Sequence, residues 1–523
     1  MIRQRLRNLL TKLYPDEDIV IDYVPKDKKG DYSTNLAFKI ASRTGEKPET
    51  VAERIAKKVK DPLIADTIVY PPGFINFEIS KKFLLDSLFE PLEINLGNGK
   101  KVLIEFVSVN PTGPINIVNA RAAAIGDSLI RVLNKTGFKA EAEYYINDQG
   151  RQTDLLAISI RERINQLKGK KAKIPEDGYH GEYLIDLARE VDSKGISEVE
   201  EIRRFAVNHF INEHKNTLKN FGVEFDYWIR ESDVYQKGLV DKVLKILNEK
   251  GLTYNKDNAL FFRATQFGDT EDRVIITSQK RHTYLLPDIA YHLDKISRGY
   301  DQLINIWGPD HHGYIKRLIG GIIALGYTND LIKIIIAQEV KLKRGGEYIK
   351  MSKRAGTFTS LDQLLAEIPK DVVRFFFLTR SCSQHLDFDL DLARKQSEDN
   401  PVYYVQYAYA RIRSIIRFAR EKGLELPETP ELSLIDKEEE FDLLKSILRF
   451  PEVLEDVVRN LDPYPITYYL IDLARNFHYF YQKYRVVGDD RKLSGARLFL
   501  VNKTAQTISD GLNLIGVSCP ERM

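Results

Sequence analysis

The spacing of apolar residues changes character twice along this chain and divides it into three units. At the start, Ile2, Leu6, Leu9 and Leu13 recur at the interval of an amphipathic helix that ends before Pro15. Alternation over 19–24 predicts a strand, and Lys29-Gly30-Asp31-Tyr32 a turn. Helices are expected over 37–41 and 51–59, and strands over 68–70 and 74–77. The stretch 1–95 therefore reads as a small α/β unit.

A second pattern starts near Lys100. The run Val102-Leu103-Ile104-Glu105-Phe106-Val107-Ser108 has the unbroken apolar character of a buried parallel strand. A Pro/Gly turn over 110–114 follows, then an Ala-rich helix over about 119–133. Strand, turn and helix N-terminus is where an α/β sheet places an anionic ligand. Apolar strands over 303–307 and 334–336 beside helical patterns predict a doubly wound parallel sheet across 96–390. The charged stretch at about 152–262 reads as a helical insertion between its halves. From Leu390 the pattern becomes wholly helical to 523. There Tyr403, Tyr404, Tyr407, Ile412 and Ile415, and later Tyr468, Leu473, Phe477, Phe480 and Tyr484, fall at helical intervals. Such stripes are ordinarily bundle core; exposed tyrosines among them would also give faces on which splayed bases stack.

With 523 residues, 43% of them hydrophobic, the chain is long enough for several cores. A net charge of +3 does not require a nucleic-acid partner, although local basic surfaces remain compatible with one. Cys382 and Cys519 form neither a disulfide framework nor a zinc spacing, which fits a reducing cytoplasm. No apolar run is long enough to span a bilayer. The Arg-rich opening is followed at once by Asp16-Glu17-Asp18, unlike a transit peptide.

The candidate chemistry lies in two motifs. Lys350-Met351-Ser352-Lys353-Arg354, with Gly356 behind it, is a cationic segment suited to neutralising a triphosphate as a bond at its α-phosphorus breaks. Alone it also reads as a solvated charge run. Upstream stands Glu105-Phe106-Val107-Ser108-Val109-Asn110-Pro111-Thr112-Gly113-Pro114, continuing through Asn116, Asn119 and Arg121. In this order the pair resembles the two signatures of class I aminoacyl-tRNA synthetases, and the surrounding residues resemble the bacterial arginyl-tRNA synthetases. The stretches 30–37, 72–77, 144–152, 374–391 and 511–523 carry the same resemblance, so it spans nearly the whole chain.

The resemblance implies a Rossmann-type catalytic unit, an N-terminal unit that meets the tRNA D-loop and a C-terminal α-helical anticodon-binding bundle. It implies an arginine–tRNA ligase that activates L-arginine with Mg-ATP, without zinc, and passes it to the 3′ end of tRNA-Arg. A cytoplasmic monomer that needs bound tRNA for activation is the further expectation. Neither step needs a protein nucleophile, because positioning and charge stabilisation do the work. By the same resemblance, Glu105, Asn110, Tyr284 and Asp288 contact arginine. Lys350, Ser352, Lys353, Asn116, Asn119 and Arg121 act in catalysis, and Gly113, Val118, Asp310, His311 and Met351 meet ATP. Phe74, Asn76, Tyr479 and Met523 meet tRNA. On periodicity alone Phe74 and Asn76 are equally strand and turn residues, and Asp288 a salt-bridged acid. His311 and His312 beside Asp310 raise the question of a metal, but adjacent histidines on a turn rarely face one ion.

One departure bears on activity. Where arginyl enzymes carry His-Val-Gly-His, this chain has Asn116-Ile117-Val118-Asn119. Amides still donate hydrogen bonds but cannot become cationic, and Val118 puts a branched side chain where glycine lets the backbone approach. Losing preorganised donors costs about a hundredfold each. A catalytically silent paralogue that binds tRNA or senses arginine is therefore the alternative reading.

Overall fold

The computed structural model describes residues 1–25, 27–349 and 360–523. Its central sheet has five strands in the order Ile332–Ile336, Gln302–Trp307, Lys101–Glu105, Lys139–Ile146, Tyr227–Arg230. All neighbours in it run parallel. The winding reverses between Lys101–Glu105 and Gln302–Trp307, which opens a crevice at the carboxyl ends of those two strands. The apolar runs follow from burial on both faces. Val102, Ile104 and Ile304 enter one core, while their neighbours Leu103 and Leu303 enter another on the opposite side.

The helix Ile117–Lys135 covers one face and Leu285–Ser297 the other. The first is drawn tight against the chain after the opening strand: a Cβ at Gly126 would meet the Phe106 ring at 2.4 Å.

The segment 152–262 departs from the helical insertion expected there. Helices Arg151–Leu167, Tyr183–Ser193 and Val199–Asn220 do form a layer with a core of its own, including Leu156, Leu184 and Ala206. The chain then returns to add Tyr227–Arg230 to the parallel sheet. Beyond it, Thr253–Lys256, Ala259–Phe262 and Arg273–Ile276 form a small antiparallel sheet. Tyr227–Arg230 is an edge strand of half-buried residues, so it lacks the apolar run that marks its neighbours.

The N-terminal unit is a four-stranded antiparallel sheet ordered Asp22–Tyr23, Tyr32–Thr34, Phe74–Ile79, Ile64–Tyr70, backed by helices. The C-terminal helices, Pro401–Glu421 to Arg491–Leu514, bury Ile412, Ile415, Leu473, Phe477 and Phe480. The N-terminal unit docks on this bundle through Arg3, whose backbone N–H donates to Glu452 Oε1 at 2.7 Å and whose Nη1 pairs with Asp456 at 2.7 Å. No described helix is long and apolar enough to cross a membrane.

Candidate active site

Glu105 closes the first parallel strand and sits in the crevice, buried. After it the chain takes left-handed backbone at Val107 (φ 69°) and Ser108 (φ 41°). For a β-branched residue that is strain, which persists only where the surroundings fix it. Ser108 Oγ donates to Glu105 Oε1 at 2.9 Å, and the other carboxylate oxygen is ion-paired with buried Lys295. Lys295 also donates to Asn305 Oδ1 at 3.3 Å, and Asn305 Nδ2 meets His292 Nε2 at 2.8 Å. His292 Nδ1 in turn lies 2.8 Å from the Asp288 carbonyl. Glu105, placed among the arginine contacts by resemblance, thus has its charge matched by the protein itself.

Asp288 is different. It lies in the first turn of Leu285–Ser297, with Tyr284 just ahead as the N-cap residue, 62% exposed. The Tyr314 hydroxyl donates to Asp288 Oδ2 at 2.5 Å, but no ion pair reaches this carboxylate among the described residues. Burial, reinforced by repulsion from Glu105, pushes its pKa up to about 7. Nearby stands Glu231, at the end of the edge strand, buried and also without an ion pair among the described residues. Burial, with repulsion from Asp288 and Asp148, carries it up to about 7 as well. Nothing in the local sequence marked Glu231; only the sheet register brings it beside Asp288. The buried Tyr145 hydroxyl, raised by burial and then by both acids, has no hydrogen-bond partner among the described residues. A cavity of about 890 Å³ opens here, lined by Gln149, Glu231, Tyr235, His282, Tyr284 and Pro287 among others. A buried and a half-buried acid beside a hydroxyl have the chemistry to receive a cation with several donors.

The turn 110–114 leads from this cavity to the other end of the site. Asn110 Nδ2 donates to Gln152 Oε1 at 2.5 Å. Asn116 caps the helix Ile117–Lys135: its Oδ1 accepts the Asn119 N–H at 2.8 Å, which leaves its amide nitrogen facing outward as a donor. Asn119 and Val118 are half-buried in the first helical turn, and Asn119 Oδ1 has no partner among the described residues. Asp310 and His311 stand exposed on the short helix Pro309–Tyr314 after the fourth parallel strand, 3.5 Å apart. Lys350, Met351, Ser352 and Lys353 lie outside the described residues. The flanks are placed: Ile349 ends an antiparallel strand, and Ser360 bridges to Asn116. The Leu361 N–H donates to the Ile115 carbonyl at 2.8 Å.

One expected catalytic residue is corrected. Arg121 is fully buried, and its guanidinium donates to five backbone carbonyls. Gln338 and Gln384 accept at 2.9 and 2.8 Å, Ser381 and Arg380 at 2.9 and 3.2 Å, and Phe377 at 3.4 Å. All five donors of the fork are engaged, so none is left for a phosphate.

The four expected tRNA contacts are divided between the N-terminal unit and the C-terminal bundle. Phe74 is exposed, with Phe38 edge-on at 4.9 Å. Asn76 is buried and donates to the Lys29 carbonyl at 2.9 Å, holding the turn behind that aromatic face. Tyr479 is exposed on the helix Tyr464–Lys483 with Lys483 over its ring at 4.2 Å, and Met523 is exposed.

Residues 1–79 match the family described as the arginyl tRNA synthetase N terminal domain. Residues 84–375 match the tRNA synthetases class I (R), catalytic domain, and 405–523 the DALR anticodon binding domain. Arginine–tRNA ligase 1 of Halalkalibacterium halodurans is 43% identical over 533 aligned positions, covering 98% of this chain and 96% of that one. Arginine–tRNA ligase of Bacillus subtilis is 43% identical over 96% of this chain and 94% of its own. The Thermus thermophilus arginyl-tRNA synthetase structure superposes with a TM-score of 0.82, covering 100% of both chains at 20% identity, a likeness of fold.

Proposed function

The chain belongs to the class I arginyl-tRNA synthetases and is an ATP-using arginine–tRNA ligase, and on that premise we propose how its residues divide the work. The observation that carries the assignment is the pair Asp288, half-buried, and Glu231, buried, acids without an ion pair among the described residues, at the mouth of the parallel sheet. A guanidinium entering between them supplies the missing charge and, through five N–H donors, hydrogen-bonds both carboxylates and the Tyr145 hydroxyl. Tyr284 covers it from the cavity side. Asn110 takes the α-amino end, and Glu105, held by Lys295, fixes the floor.

ATP lies across Gly113, Val118, Asp310 and His311, with Met351 beside the adenine. Asn116 and Asn119 donate to the phosphates from the helix N-terminus, where the backbone also favours negative charge. Asn116 Oδ1 is engaged in its cap, so this signature offers N–H donors to phosphate oxygens, and magnesium stays with the triphosphate. Lys350, Ser352 and Lys353 stabilise the pyrophosphate as the arginine carboxylate attacks. Phe74 stacks on a D-loop base above Asn76, while Tyr479 and Met523 face the anticodon arm. The units divide near 95 and 390, and the protein acts as a cytoplasmic monomer.

The test is arginylation of tRNA-Arg by the purified protein, beside Asp288→Ala and Lys353→Ala. Charging by the parent that collapses in both variants supports the assignment. A parent that binds tRNA without charging it overturns the role given to Asn116 and Asn119.

A further inference from the structure

The turn between the two halves of the site is gripped by two side chains that are not among those lining the cavity. The Tyr183 hydroxyl donates to the Thr112 carbonyl at 2.9 Å. Its ring lies so close to Gly113 that a Cβ there would meet the hydroxyl at 3.1 Å and Cζ at 3.2 Å. His214 Nε2 is 2.8 Å from the Gly113 carbonyl. A carbonyl only accepts, so Nε2 carries the proton and Nδ1 faces the Tyr144 hydroxyl at 2.9 Å. That hydroxyl oxygen accepts the Val109 N–H at 3.1 Å. Thr112 and Gly113 are thus held from the helical layer, and Val109 from the second parallel strand. Tyr183 belongs to the helix Tyr183–Ser193, whose core is separate, and His214 to Val199–Asn220, which shares that core through Ile202, Ala206 and Phe210 and enters the core of the sheet through Val207, Ile211 and Leu218. The grip therefore ties the helical layer to a turn that follows strained backbone at Val107 and Ser108.

We propose that Tyr183 and His214 are positioning residues for arginine activation: by holding the Thr112 and Gly113 carbonyls they set the turn that presents Asn110 on one side and the helix start at Asn116 on the other. Neither touches a substrate. Their effect passes through the backbone, and displacement of reacting groups by about 1 Å costs on the order of a hundredfold in rate. The proposal rests on the reading that this turn lies between arginine and ATP.

The experiment uses the full-length protein with Tyr183→Phe, His214→Leu and His214→Gln, beside Asp288→Ala, in steady-state arginylation with ATP, arginine and tRNA-Arg each varied. Tyr183→Phe and His214→Leu are expected to raise the KM for ATP and lower kcat, each by about tenfold, with the KM for tRNA unchanged. His214→Gln, which keeps an amide donor toward Gly113, is expected to recover most of both. A merely structural role would lower the amount of folded enzyme and leave the KM for ATP where it was. If Asp288→Ala abolishes charging while the KM for ATP stays within twofold of the parent in all three turn variants, the positioning role is wrong and the site stands. If Asp288→Ala charges normally, the site reading itself fails.

Discussion

Arg121 and Arg374 are completely buried, and Glu231 nearly so, yet the protein completes the partners of the two arginines and gives the acid no cation among the described residues. Arg121 engages five carbonyls. Arg374 donates to the Ile515 carbonyl at 2.8 Å and the Phe221 carbonyl at 3.2 Å, and pairs with Asp127. Those arginines join the start of the central helix, the segment after Phe377 and the C-terminal bundle into one body. Among the described residues Asp288 and Glu231 meet no cation, and the Tyr145 hydroxyl has no hydrogen-bond partner. Burial does not separate scaffold from site here; completeness of the partners does. An interior cation with every donor used stabilises the fold, whereas interior acids lacking a cation leave the free protein less stable and hold that energy for the ligand.

If this contrast is right, the largest effect on stability should come from Arg121→Met. It strips the partner from several buried carbonyls, each worth about 1 kcal/mol or more, and the apparent melting midpoint should fall by about 10 °C or more. The fraction still folded should keep its KM for arginine. A variant that melts like the parent but loses ATP turnover would return Arg121 to the catalytic role and break the contrast.

Asp288→Asn should do the reverse. Its kcat/KM for arginine should drop by about a thousandfold, the scale of removing one partner from a buried charged contact, while the melting midpoint of the ligand-free protein at pH 8 rises. The sign follows from the raised pKa: the folded state holds the Asp288 proton more tightly than the unfolded chain does, so folding loses stability as the pH rises from the ordinary carboxylate range to about 7 and carries the full cost above it, which a neutral amide escapes. Glu231→Gln should be milder, raising the KM for arginine by about ten- to a hundredfold with little change in the KM for ATP. Equal losses in Asp288→Asn and Glu231→Gln would show that neither acid leads the other.

The sequence revealed most of the scaffold and about half of this contrast. The apolar run ending in Glu105, the Pro/Gly turn and the helix behind it were legible because burial on both faces of a parallel strand leaves a continuous local pattern. Asp288 was singled out through its resemblance to the family's motif. Glu231 was not, since it follows an edge strand of half-buried residues that reads like the charged helices around it. Lys295 looks on periodicity like the surface end of a helix, and only the fold shows that Glu105 lies beneath it. Arg121 misled for the opposite reason: a cation next to a nucleotide signature suggests phosphate, but the carbonyls that absorb it lie more than two hundred residues away along the chain. Local pattern reports which face of an element is buried; it does not report which polar groups meet inside.

The smallest effect is also the most specific to the unmatched acids. With Asp288 and Glu231 both near 7 in the free enzyme, arginine must compete with protons for them, because a guanidinium gains little from a neutral carboxyl. Each acid that must ionise adds a factor of one plus the ratio of protons to its dissociation constant. Lowering the pH from 8 to 7 should therefore raise the KM for arginine about twofold if one acid matters and about threefold if both do. At pH 6 the corresponding factors are about ten and a hundred, and above pH 8 the curve should be flat. Glu231→Gln should convert the steeper curve into the shallower one without moving its midpoint upward, since it also removes a repulsive neighbour of Asp288. Matched acids behave otherwise: Glu105 is ion-paired with Lys295, and replacing it should leave the slope unchanged. A KM for arginine that is flat from pH 6 to 8 in the parent would mean that the pocket is already compensated, and that the acids in it belong to the scaffold after all.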